Sequence, residues 1–205
     1  MAKLIGSLPN EVVVMNSLTV NLHIMLTSFY RPTNQRFKIL IEKKAFPSDY
    51  HAVYSQIKLH GFDPVEALIE IKPFDDTKDF IDTSDVINML AEQGDSIQLV
   101  LLSGVQYYNG QVFNIQEITQ KAHEMGCFIG FDLAHAVGNI ELKLHDWECD
   151  FAVWCRLEYI TRIHIYLSHL IHSICVHMMM QYNSSYDSLY KLINLAGLKY
   201  YYFTY

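Results

Sequence analysis

Short apolar runs alternate along residues 1–155 with longer segments in which polar and apolar positions are mixed. A run of about four to eight apolar residues is typical of a strand buried on both faces, and longer amphipathic segments predict helices. Because strands and helices alternate, the pattern predicts an α/β fold with a mostly parallel sheet and helices on both faces. The strands are predicted at 11–15, 37–42, 65–72, 97–102, 126–132 and 149–155, and the helices at 20–30, 50–59, 83–94, 114–125 and from 136 onward.

Polar residues follow several of these strands directly. Ligands of parallel sheets bind outside the carboxyl ends of the strands, so we expect these residues to share one edge of the sheet. The clusters are Ser17–Thr19, Phe46–Asp49, Ser103-Gly104, and Asp132 with His135.

Two of the clusters have both a structural and a functional interpretation. Ser17–Thr19 lies where a helix begins, and free N–H groups there favour a phosphate, although an ordinary helix cap is equally consistent. Phe46–Asp49 could place an aromatic ring over a flat cofactor and a carboxylate near a reacting amine. The same segment could simply be a loop with a proline turn.

Asp132 is the sharpest candidate, because a carboxylate at the end of a buried strand is costly unless it is paired. A pyridinium N–H would pair with it, and His135, three positions on, could orient the group. Two alternatives stay open. Asp132 could cap a following helix, or it could join His135, His145 and Asp146 in a metal site of no standard spacing.

Composition narrows the classes of function. A net charge of −7 without a basic run argues against a nucleic-acid partner. The four cysteines show no paired metal spacing and are expected to be free thiols in a reducing cytosol. The first residues have no long apolar core, so no secretory signal is predicted.

The composition changes abruptly near Cys155. Residues 1–155 contain all five prolines and 20 of the 22 acidic residues, whereas residues 156–205 contain nine of the 14 tyrosines. The segment 163–180 is apolar, but its four histidines make it a poor membrane helix. We therefore predict a folded domain at 1–155 and a divergent tail at 156–205.

Several long motifs of the first 155 residues resemble kynureninase. The resemblance runs without a break to Cys155. The motifs are Met15–His23, Ser28–Thr33, Ala45–Asp49, Leu59–Gly61, Gly94–Ser96, Ser103–Val105, Gly130–Asn139, Leu144–Trp147 and Cys149–Cys155.

The resemblance implies part of the large domain of a fold type I enzyme that depends on pyridoxal 5′-phosphate (PLP). Kynureninase is a cytoplasmic homodimer of tryptophan catabolism, on the route to NAD. It hydrolyses L-kynurenine or 3-hydroxykynurenine to an anthranilate and L-alanine. The residues that the resemblance assigns to PLP are Leu18 and Thr19 at the phosphate, Phe46 on the ring, Pro47, Ser48 and Asp49 beside it, Ser103 near the cofactor, Asp132 at the ring nitrogen and His135 assisting.

The chain departs from the kynureninase motif directly after Cys155. Leu157 stands where the motif has a tyrosine that touches the phosphate, and Glu158 stands where it has the Schiff-base lysine. A glutamate cannot form an imine, so we expect a kynureninase-like chain without a catalytic lysine and without turnover. The alternatives are a non-catalytic chain that binds PLP or associates with other subunits, and a chain that does not fold stably.

Overall fold

The computed structural model describes residues 1–73, 77–155 and 200–204. Strands and helices alternate along the first two of these ranges, as the apolar pattern predicts. In chain order the elements are α1 (Ala2–Ile5), β1 (Val12–Val14), α2 (Leu18–Phe29), β2 (Lys38–Glu42), α3 (Pro47–Leu59), α4 (Pro64–Ala67), β3 (Leu68–Ile71), α5 (Thr83–Gln93), β4 (Ile97–Ser103), α6 (Ile115–Glu124), β5 (Phe128–Asp132), β6 (Phe151–Cys155) and β7 (Tyr200–Thr204), with short 3₁₀ turns at Pro9–Glu11 and Gly94–Ser96.

The strands form one seven-stranded sheet in the order β1-β7-β6-β5-β4-β2-β3, and every neighbouring pair is parallel. This confirms the predicted parallel sheet. β7 comes from the predicted tail and pairs with both β1 and β6. Residues 156–199 lie outside the described ranges, so the domain boundary at Cys155 remains a prediction.

Two hydrophobic cores cover the two faces of the sheet, which confirms the prediction of helices on both sides. Successive strand residues point to opposite faces, so Leu40 of β2 joins one core while its neighbours Ile39 and Ile41 join the other. Helices α5 and α6 cover the first face through buried residues such as Leu90 and Ile118. Helices α2 and α3 cover the second.

The strand predicted at 65–72 is confirmed only for Leu68–Ile71, and the helix predicted from 136 is wrong, each for a local reason. Residues 64–67 form a helical turn and not the start of a strand, because Asp63 accepts a hydrogen bond from Val65 N at 2.9 Å and Pro64 occupies the first helical position. No helix begins at Ala136. Residues 134–139 form turns instead, and Gly138 has a positive φ of 84°.

The sheet brings the ends of β2, β4, β5 and β6 to one edge. Ser103 and Asp132 are register partners at the ends of β4 and β5. The amino termini of α2 and α3 directly follow β1 and β2 in the chain, so they begin at the same edge. This topology places the predicted polar clusters together.

None of the described helices is both long enough and apolar enough to cross a membrane. The apolar segment 163–180 lies outside the described ranges.

Candidate functional site

A cavity of about 290 Å³ opens at the carboxyl edge of the sheet. It contains all the site residues that the sequence predicts except Pro47, which begins α3 beside it. The lining residues are Leu18, Thr19, Glu42, Phe46, Ser48, Asp49, Ser103, Val105, Tyr107, Asp132, Ala134, His135 and Cys155.

Asp49 and Asp132 form a pair of buried carboxyl groups in this cavity. Their side chains are hydrogen-bonded to each other, and Asp132 Oδ1 also accepts a hydrogen bond from Ala134 N at 2.7 Å. Burial raises the pKa of Asp49, and burial together with the charge of Asp49 raises the pKa of Asp132 well above its ordinary value. Asp132 does not cap a helix, because turns follow it.

Glu42 is a third carboxyl group of the cavity, and sequence reasoning missed it. It is only 3% exposed, and burial is the main reason that its pKa is raised to about 7. Its carboxylate accepts a hydrogen bond from Ser103 Oγ at 2.6 Å and from Ser103 N at 3.2 and 3.3 Å. Asp132 was identified because it is an acidic residue at the end of a buried strand. Glu42 shows the same pattern at the end of β2 and could have been identified in the same way.

The amino terminus of α2 forms another wall. Ser17 is its N-cap and accepts a hydrogen bond from Val20 N at 3.4 Å, so the capping interpretation is confirmed. The first N–H groups of a helix have no partner within it, and Leu18 and Thr19 of this turn line the cavity. The cap and a phosphate site are therefore compatible at this position.

Aromatic and hydroxyl side chains complete the cavity near α3. Phe46 is 45% exposed, and its ring packs edge-on against Tyr107 with 5.1 Å between the centroids. Ser48 Oγ donates to Asp49 Oδ1 at 3.1 Å, which orients the carboxyl group of Asp49. Tyr107 was not predicted from the sequence, because no pattern marks the loop after β4.

The two histidines considered as metal ligands lie in different surroundings. His135 lines the cavity beside Asp132. His145 instead interacts with Glu11 through Nδ1 at 2.8 Å, which ties it to the amino-terminal segment. Among the described residues, no group of three or more ligating side chains could hold a metal ion.

Three carboxyl groups line the cavity, those of Glu42, Asp49 and Asp132. Neither a lysine nor an arginine lines it within the described ranges. Leu157 and Glu158, the positions at which the chain departs from the kynureninase motif, lie outside those ranges. The three carboxyl groups therefore suit a ligand with a positively charged group, or else a proton that the carboxyl groups share.

Comparisons of the sequence with known proteins find a family match and several relatives. The profile of the aminotransferase class-V family matches residues 1–155. Kynureninase of Nematostella vectensis is 55% identical over 160 residues, covering 78% of this chain and 34% of the relative. Kynureninases of Koribacter versatilis and Rattus norvegicus are 54% and 51% identical over 78% of the chain. The chain spans about a third of the length of these relatives.

Solved structures with low sequence identity share the fold. A cysteine desulfurase from Thermococcus onnurineus superposes with a TM-score of 0.63 at 19% identity, covering 75% of this chain and 36% of that one. The cystine C-S lyase C-DES gives a TM-score of 0.62 at 20% identity, covering 78% and 41%. With residues 1–155 matched to the family profile, the chain belongs to the aminotransferase class-V family, and the relatives that it resembles within that family are kynureninases.

Proposed function

We propose that the cavity holds PLP, as in the kynureninases that the chain resembles. The observation that carries this proposal is the pair of buried carboxyl groups, Asp49 and Asp132, in one cavity. A buried carboxylate is stabilised by a cation within hydrogen-bond reach, and the protonated ring nitrogen of PLP is such a cation. The residues present therefore fit the group.

Each end of the cofactor has residues suited to it. The pair Asp49 and Asp132 would hold the ring nitrogen. The first turn of α2, with Leu18 and Thr19, would take the phosphate, because helix amino termini favour anions. The remaining residues proposed around the ring are Phe46 on its face, and Pro47, Ser48, Ser103 and His135 at its edges.

When bound, PLP supplies an electron sink for negative charge that develops on an amino-acid substrate. Asp132 would keep a proton on the ring nitrogen, and Asp49 would help to hold Asp132 in place. By its resemblance to kynureninase, we propose L-kynurenine or 3-hydroxykynurenine as the amino acid that the site accepts; kynureninase itself converts them to an anthranilate and L-alanine. His135 would fix the orientation of the ring from the loop that follows β5.

We further propose that this chain binds its ligands without turnover. The support is the sequence, in which Glu158 occupies the place of the lysine in the kynureninase motif. A carboxylate cannot form the covalent bond with the cofactor that a lysine amine forms. The general acid–base catalysis that such a lysine provides, typically a rate increase of about 10²–10⁴-fold, would be lost as well.

Association with another subunit belongs to the same proposal. Phe46, Tyr107 and Tyr108 are between 41% and 45% exposed at and beside the cavity mouth, and exposed aromatic clusters of this kind favour a protein partner. We propose a homodimer, as the resemblance to kynureninase implies, in the cytoplasm. The three described cysteines are free thiols, which is compatible with a reducing compartment.

A titration with PLP, followed by tryptophan fluorescence and visible absorbance, tests the proposal. The wild-type chain should bind PLP without the absorbance band of a lysine-bound cofactor. Asp132→Asn should weaken binding about 10- to 100-fold, because a charge-assisted hydrogen bond is lost. Asp150→Asn is the matched control, since Asp150 accepts hydrogen bonds from Ile129 N and His123 outside the cavity.

A second pair of variants tests the missing lysine. Glu158→Lys combined with Leu157→Tyr should produce the lysine-bound band, whereas Glu158→Gln should not. Release of alanine from kynurenine by the pure wild-type chain would overturn the proposal of no turnover. Failure of the wild-type chain to bind PLP would overturn the assignment of the cavity.

A further inference from the structure

Glu42 and Ser103, which both line the cavity, are joined by hydrogen bonds from two groups of Ser103. They end the neighbouring parallel strands β2 and β4. Ser103 donates to the Glu42 carboxylate through two groups, its backbone N–H at 3.2 and 3.3 Å and its hydroxyl at 2.6 Å. One carboxylate therefore fixes both the backbone and the side chain of Ser103.

The contact between Glu42 and Ser103 also helps to hold the turn that forms part of the cavity wall. Gly104 N donates to Asp132 O at 2.8 Å, so consecutive amides of this turn are held from opposite sides, by β2 and by β5. Val105 and Tyr107, which line the cavity, follow directly. A change at Glu42 is thus transmitted to the wall through Ser103.

The charges that face Glu42 are mainly negative. Asp49 comes from α3 and Asp132 from β5, and each interacts electrostatically with Glu42. Cys155 at the end of β6 and His135 after β5 line the same cavity. The chain neighbours Lys43 and Lys44, with Lys72 after β3, line a separate cavity of about 160 Å³.

We propose that Glu42 is a positioning residue whose own proton decides the direction in which the Ser103 hydroxyl donates its hydrogen bond. When Glu42 is ionised, the hydroxyl donates to Oε1, as the structure shows. When Glu42 is protonated, its O–H donates to Ser103 Oγ, and the hydroxyl hydrogen turns to an acceptor oxygen of the bound ligand. The inference rests on the proposed function, in which that ligand is PLP.

The sign of the pH dependence follows from this exchange. A ligand oxygen that accepts from Ser103 favours protonated Glu42, so binding takes up a proton and affinity falls as Glu42 ionises. The raised pKa of Glu42, about 7, puts this change close to neutral pH. In Glu42→Gln the amide N–H donates to Ser103 Oγ at every pH, so this variant mimics the protonated state.

The test compares dissociation constants for PLP at about pH 6 and about pH 8.5, on either side of that pKa. The wild-type dissociation constant divided by that of Glu42→Gln cancels the titration of PLP itself. This ratio should be near one at the lower pH and rise about tenfold at the higher, as expected for one hydrogen bond to a charged group. With Ser103→Ala in both proteins, the ratio should stay constant. Glu11→Gln, which alters another buried glutamate outside the cavity, should behave as wild type.

A measurement without ligand separates this inference from the proposed function. The ¹³C signal of the Glu42 carboxyl group, titrated by NMR, should have a higher midpoint in Ser103→Ala, because the ionised form loses a hydrogen bond. A midpoint that does not move, or a pH-dependent ratio that survives Ser103→Ala, would overturn the inference. If the wild-type chain binds no PLP but the midpoint moves, the assignment of PLP fails and the coupling of Glu42 to Ser103 stands.

Discussion

The carboxyl groups of Asp49 and Asp132 are hydrogen-bonded to each other inside the cavity, which requires a proton between them. Two ionised carboxylates would repel, and neither could donate. Asp132 also accepts a hydrogen bond from Ala134 N through Oδ1. The shared proton thus leaves the pair with one negative charge instead of two.

The proton shared by Asp49 and Asp132 predicts the behaviour of Asp132→Asn. The asparagine amide can donate to Asp49 while its oxygen still accepts from Ala134 N, so the contacts survive without a titrating group. Because a raised carboxyl pKa gives stability that is lost as pH rises, the variant should become more stable relative to wild type in alkaline buffer. Urea unfolding at acidic and alkaline pH measures this.

Asp132→Ala serves as the contrasting variant. It leaves the Ala134 N–H and Asp49 without their partner and should be about 1–3 kcal/mol less stable than Asp132→Asn. Equal destabilisation by the asparagine and alanine variants, unchanged with pH, would contradict a shared proton.

Glu42 makes the stability of the folded chain depend on pH near neutrality. Its pKa is about 7 in the folded protein and near 4.5 when exposed, so the folded state binds more protons between these values. The free energy of unfolding should therefore fall by about 3 kcal/mol as pH rises through this window. Glu42→Gln should remove most of that fall, as measured by urea unfolding across the window, with Glu11→Gln retaining it. A wild-type slope that Glu42→Gln leaves intact would rule out Glu42 as its source.

Cys155 reports on occupancy of the cavity, because its thiol is half-buried there while Cys127 and Cys149 are buried in the core. Burial and the nearby Asp132 raise the pKa of the Cys155 thiol, so alkylation should be slow at neutral pH and faster in alkaline buffer. Cys155 should nevertheless react before Cys127 and Cys149, as peptide mass spectrometry can show.

PLP should slow the alkylation of Cys155 in proportion to occupancy, about tenfold when nine tenths of the sites are filled. Inorganic phosphate at equal ionic strength is the control and should protect less, because it leaves the ring end of the cavity open. Equal protection by the two would place the bound molecule away from Cys155.

Gly104 is a position where the cavity wall tolerates no side chain. A Cβ there would lie 2.5 Å from Leu133 Cδ2 and 2.9 Å from Ala136 Cβ, both in the buried core. Gly104→Ala should therefore cost about 1–3 kcal/mol of stability, as measured by thermal or urea unfolding. Gly110→Ala, where φ is 72° and nothing lies within 4 Å, shows for comparison the cost of backbone strain without a steric clash. A Gly104→Ala variant as stable as the wild type would refute this steric account.

The elements that can be predicted from the sequence are those with a local pattern of apolar residues. The apolar runs identify β2, β4, β5 and β6 because both faces of these strands are buried, and Asp132 stands out because its carboxyl group ends such a run. Glu42 ends β2 in the same way, but its hydrogen bond to Ser103, which is 61 residues away in the chain, could not be predicted from local pattern. The segment after Asp132 was predicted to begin a helix. In the structure the Ala136 and Val137 amides both donate to Leu133 O, as in the first turn of a helix, but no helix follows.

The position of β7 has a consequence for the order of folding. Within the described ranges, Val12–Val14 reach the rest of the sheet only through Tyr200–Thr204, to which they pair in parallel over a large separation in the chain. Contacts between such distant segments close large loops and form slowly. During synthesis the first strand therefore lacks this pairing until Tyr200–Thr204 have been made.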